Sequence, residues 1–139
     1  MSGIRVYLAV LAADLDDLAA NGRLSWTGRF AYAVTPALVA ATPRADQEER
    51  EYLAFVEAAG VARALAGGAR RVVVAADVSE SVIDAVGDGP LMRLTADVPL
   101  REIASFHVDE TARGDLGDLL WYDVTEAAVV RALLEDADQ

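Results

Sequence analysis

The sequence has no cysteine and no lysine, and it holds a single histidine, His107. Without cysteine there is neither a disulfide framework nor a thiolate metal site, so a secreted setting gains no support. With one imidazole, any metal site would have to be built from carboxylates, which suits magnesium, calcium or manganese better than zinc. The lack of lysine leaves 12 arginines against 23 acidic residues, a formal charge of −11 and a pI of about 4.3. Such a surface repels phosphate backbones and anionic lipids, because no basic cluster offsets it. Neither nucleic acid nor membrane is therefore an expected partner. No apolar run approaches a bilayer span, and "MSGIRVYLAV" shows no basic leader followed by an apolar stretch. The expected setting is cytoplasmic.

What is present is apolar bulk. With 54% hydrophobic residues in 139, the chain has material for one core, and we expect one domain over 1–139 with a frayed tail at 135–139. Residues 4–10, "IRVYLAV", read as a buried strand. Asp14 is the expected N-cap of a short helix ending at Gly22, and residues 30–35 form a second strand. Thr35-Pro36 opens a helix that stops before Thr42-Pro43. The longest helix should run from Asp46 to Ala66, with an Asp46–Glu49 capping box and an Asp46–Arg50 pair. Gly60 within it suggests close approach of another backbone.

The second half repeats Ala-Asp-Val followed by isoleucine, at Ala76-Asp77-Val78 with Ile83 and at Ala96-Asp97-Val98 with Ile103. Each copy reads as a strand and a helical turn, its aspartate taking bonds from free backbone N–H groups. Asp123 and Glu126 open a closing helix that Trp121 and Tyr122 should anchor on the sheet. The whole predicts an α+β fold: about five strands in a mixed sheet, the first two parallel, with three to four helices.

The segments "IRVYL", "FAYAVTP", "EEREYLAF", "RRVVVAADV", "FHVDE" and "WYDVTE" together resemble a family of small actinobacterial proteins of unknown function. The likeness spans nearly the whole chain. It implies a high-GC source and a cytoplasmic setting, in keeping with the arginine-only cations, and no activity.

Candidate sites are few. His107 and Asp109 share one face of a strand and could supply two ligands or an acid–base pair, but the same alternation describes an exposed strand face. Asp115 and Asp118, in the glycine-containing loop "RGDLGD", are the other carboxylates that could fold around a cation, although the calcium-loop spacing is missing. Of the serines, Ser25, Ser79, Ser81 and Ser105, none lies in a nucleophile elbow. Ser105 is assigned to the strand face opposite His107, which sets that pair aside. Trp26, flanked by Arg23 and Arg29 in "NGRLSWTGRF", is the candidate partner-binding anchor, with core capping as its structural alternative.

The preferred reading is a non-catalytic binding or regulatory module acting through protein contacts, with a homodimer as its expected assembly and no cofactor. The alternatives are a carboxylate-rich, metal-dependent hydrolase or phosphotransfer enzyme using His107, Asp109 and Asp115 or Asp118, and a small-molecule sensor with a pocket over the sheet.

Overall fold

The computed structural model describes residues 3–66, 70–87, 89–109 and 119–135. Its first strand, β1 (Ile4–Val10), is central, and the chain then runs α1 (Ala12–Asn21), β2 (Arg23–Leu24), β3 (Phe30–Ala33), α2 (Pro36–Ala41) and α3 (Gln47–Ala66). The second half follows as β4 (Val72–Val78), β5 (Ile83–Ala85), β6 (Leu91–Leu94), β7 (Val98–Pro99), β8 (Ile103–Asp109), β9 (Leu119–Asp123) and α4 (Ala127–Glu135). Seven strands form one sheet in the order β5-β6-β3-β1-β4-β8-β9, and β2 pairs with β7 in a separate ribbon.

The α+β class holds, but the sheet is larger than the five strands expected and wholly antiparallel rather than mixed. The expected parallel pairing of the first two long strands is instead antiparallel, with Val6 opposite Ala33. The reason lies in α1. It is not a crossover but a detour that packs against α4 and β2, and the chain turns back through left-handed Gly22 (φ 72°) and Gly28 (φ 84°). Of the missed strands, β2, β5 and β7 have two or three residues and show no periodicity to read, whereas β9 has five and runs directly into the turn before α4.

Alternation divides the sheet into two unlike faces. One carries Val6, Leu8, Val10, Val72, Val74, Met92, Leu94, Phe106 and Val108 and packs beneath α1, α4 and the β2–β7 ribbon. The other carries Tyr7, Ala9, Val73 and Ala75 and packs against α3, which lies over β1, β3 and β4. The residues that α3 buries are Ala54, Ala58, Ala59 and Ala62, one i, i+4, i+8 stripe with a neighbour. Methyl side chains let the helix axis sit close to the sheet. A bulge between β4 and β8 pairs Ala75 with Ser105 and Ala76 with Ile103, leaving Ala104 over. Because of that extra residue Ile103 faces the same core as Phe106 and Val108.

Several end signals hold as read. Thr35 Oγ1 accepts from the Leu38 N–H at 3.1 Å with Pro36 at the first helical position, and Asp46 and Glu49 exchange the bonds of a capping box. Others move. Leu11, not Asp14, occupies the N-cap of α1, and Asp14 reaches back from the third helical position to the Leu11 N–H at 2.8 Å. Arg50 turns from Asp46 to Thr42, donating to its carbonyl and hydroxyl oxygens. Gly60 is exposed and meets no other backbone. The two Ala-Asp-Val copies do share a plan, since each leads through a 3-10 turn (80–82 and 100–102) to a strand opening at Ile83 or Ile103. Asp97 accepts backbone N–H bonds as expected, whereas Asp77 pairs with the Arg5 side chain. The tail beyond 135 lies outside the described residues. Among the described residues no helix is long and apolar enough to cross a membrane.

Candidate functional site

β8 brings the sequence-derived candidates together on the α3 side of the sheet, but in other roles. Phe106 and Val108 turn into the core, as alternation requires. On the opposite face, His107 is half-buried with its ring edge-on to Phe55 of α3, centroids 5.1 Å apart. Burial, reinforced by the Arg5 guanidinium, lowers the imidazole pKa to about 4, so it is neutral at physiological pH. Its Nε2 lies 3.0 Å from Ser105 Oγ. The assignment of Ser105 to the other face is thereby corrected: residues two apart on a strand share a face, and the bulge precedes both.

Asp109 is not exposed either. Its carboxylate and the Arg71 guanidinium are both 1% accessible and meet at 2.6 Å. Asp109 Oδ2 also accepts from the Arg71 backbone N–H at 2.7 Å, and Arg71 Nε is within 3.1 Å of both carboxylate oxygens. A carboxylate engaged by so many donors has little left to offer a ligand. The reading of His107 and Asp109 as an exposed strand face therefore fails: Phe55 packs on His107, and Arg71 neutralises Asp109. Among the described residues no three histidine, aspartate or glutamate side chains gather about a common point. Asp115 and Asp118 lie outside the described residues.

Trp26 is 2% accessible and belongs to the core, with Nε1 donating to the Phe30 carbonyl at 2.9 Å. The Arg29 guanidinium lies 3.6 Å over its ring while pairing with Asp14, and Arg23 pairs with Asp97. Bonds from the Thr27 hydroxyl, then from the Thr27 and Trp26 backbone N–H groups, hold the Asp97 carboxyl below its ordinary pKa. Of the two readings of Trp26, core capping is the one the structure shows, and the ring is pinned rather than free at the surface. What its loop exposes is Phe30, which with Leu65 borders a shallow groove of about 370 Å³.

The aromatic surface lies elsewhere. Trp121 is 63% accessible on β9, directly opposite His107 in the strand pairing, and Tyr122 alone of the pair packs on the core. Trp121 therefore does not anchor the closing helix. Tyr52, 60% accessible on α3, stands 6.5 Å from Phe55, ring centre to ring centre. Tyr52, Phe55, His107 and Trp121 form a row running from α3 across β8 to the sheet edge at β9. Glu48, Glu49 and Asp46 join Tyr52 and Leu53 in a groove of about 460 Å³. The row is hidden in the sequence because "LLWYD" reads equally as the approach to a helix. The available signal was the strand-prone pair Trp121-Tyr122 in an apolar run bounded by Asp118 and Asp123.

A more polar cleft of about 390 Å³ opens above β1, lined by Arg5, Gln47, Glu51 and Asp77. Arg5 and Asp77 close on each other there at 2.7 and 3.1 Å.

No curated protein and no solved structure matches the chain. The model of a family of unknown function, DUF6912, matches residues 4–130, in keeping with the likeness carried by its motifs, and the chain belongs to that family.

Proposed function

We propose that this protein is a non-catalytic binding module that works through protein contacts, and that its contact surface is the Tyr52–Phe55–His107–Trp121 row. The observation that carries this reading is the exposure of Trp121 on an edge strand, in line with an equally exposed Tyr52. A large aromatic side chain left mostly in water contributes little to the fold, and such residues recur as the anchors of interfaces. The row has a rigid base. Phe55 is wedged edge-on between Tyr7 at 5.6 Å and His107 at 5.1 Å, so a partner would meet a preformed surface.

The test is capture of binding partners from the native host by the wild-type chain and by a Tyr52→Ala/Trp121→Ala variant, compared by quantitative mass spectrometry. At least one protein recovered with the wild type should drop about tenfold with the double variant. Equal recovery would sink the reading. Loss only on a Phe30→Ala/Leu65→Ala variant would overturn it too, by moving the contact surface to the groove beside Trp26.

A further inference from the structure

We infer that β9 is a receiving edge, to which an extended, arginine- or lysine-rich segment of another protein adds as a further strand. The inference rests on the binding-module reading above and names the chemistry of its partner. Three observations lead to it.

The first is the asymmetry of the sheet's two edges. At one end β5 has only three residues, one of them Asp84. At the other, β9 has five, "LLWYD", with no neighbour on its outer side among the described residues. An edge strand presents a row of unpaired backbone N–H and C=O groups, and proteins usually blunt such edges with lysine, proline, bulges or brevity. β9 has no lysine, proline or bulge, is of ordinary length, and carries its one charge, Asp123, only at its end.

The second is that its side chains are exposed on both faces. Leu120 lies on the core side and Trp121 on the α3 side, and both are open to solvent. An added strand would complete the backbone ladder while packing alternate side chains on these two residues, which is how sheet edges recognise extended peptides.

The third is charge. The chain carries −11, and Arg5, Arg23, Arg29, Arg71 and Arg131 are already paired with carboxylates. Asp123 and Glu126 stand at the C-terminal end of β9, and Glu48 and Glu49 border Tyr52. A second copy of this chain would bring another −11 to the same edge. A basic segment would relieve that charge, and its cations could also lie over the exposed Trp121 ring.

Amide-resolved hydrogen exchange on the full chain tests this, using a ten-residue peptide of alternating arginine and valine beside a glutamate–valine control. The arginine peptide should slow β9 amides by about tenfold or more while the protein sediments as one copy, and the control should leave them unchanged. Trp121→Ala should weaken the arginine peptide by about tenfold. No protection at saturating arginine peptide, or equal protection by both peptides, would overturn the inference. So would β9 protection without any peptide in a sedimenting dimer, which would put a second copy on the edge. If strand addition fails while the Tyr52/Trp121 double variant still loses its native partner, the contact surface stands and only the mode of docking falls. If that variant keeps its partner, the underlying reading has failed.

Discussion

The two faces of the central sheet solve the same problem with opposite materials. The face under α1 and α4 is filled by large aliphatic and aromatic side chains, Leu8, Met92, Leu94 and Phe106 among them, all completely buried. The face under α3 is built mainly from alanines around Tyr7, Val73 and Phe55, and polar groups stand on it: Ser105, His107 and, by the alternation of β4 and β8, the Arg71–Asp109 pair. The first face is sealed hydrocarbon, and its stability comes from area removed from water. The second achieves close approach through small residues, and its uncovered end keeps Trp121 and Tyr52 in solvent. One face stabilises the fold, and the other leaves a surface free for work.

The contrast can be broken most severely at the buried ion pair. Asp109→Ala leaves the Arg71 guanidinium buried beside an empty place, which should cost about 3–5 kcal/mol in denaturant unfolding. The half-exposed Arg5–Asp77 pair provides the control, since Asp77→Ala should cost no more than about 1 kcal/mol. Packing comes next. Leu8→Ala on the core face should lose about 2–5 kcal/mol through the cavity it leaves. On the α3 face the sensitive direction is reversed, and Ala58→Leu should cost about 1–3 kcal/mol by forcing the helix off the sheet. Equal tolerance of Ala58→Leu and of an exposed Ala→Leu change would refute the close-packed stripe.

His107 gives a pH signature to the α3 face. Its pKa of about 4 in the folded chain lies below the ordinary value of 6.5 expected once unfolded. Between those values the unfolded chain holds the extra proton, so stability is intact above pH 6.5 and falls as pH drops towards 4. A His107→Gln variant should lose less stability over that window than the wild type, read as the change in urea midpoint. Parallel curves would mean that the imidazole is not desolvated. Smallest of all, Trp121→Ala should alter folding stability by no more than about 0.5 kcal/mol, because the ring is mostly in water.

Much of this architecture was readable from the chain. Thr35-Pro36, the Asp46–Glu49 box and Gly22 mark their helix ends by local chemistry, which tertiary contacts do not override. Strand count and direction were not legible, because β5 and the β2–β7 ribbon are too short to carry a period, the apolar run of β9 reads equally as the approach to α4, and α1 resembles a crossover. Of the candidate site, the faces of His107 and Asp109 followed from alternation. Their burial did not, since nothing local says that Phe55 and Arg71, distant in sequence, will arrive there. The tryptophans divide for a related reason, Trp26 taking its core-capping alternative and Trp121 departing from its expected anchoring role. Trp26 sits in a loop that folds inward onto the core, and Trp121 sits in a strand whose inward positions are taken by its neighbours.

The most direct test of the exposed row places a photo-crosslinking benzophenone side chain at position 121 in the native host, with an identical one at position 129. Val129 is also exposed, but on α4, above the sealed face. Discrete crosslinked adducts are expected from position 121 and none from position 129. Adducts of equal yield at both positions, or at 129 alone, would contradict that expectation.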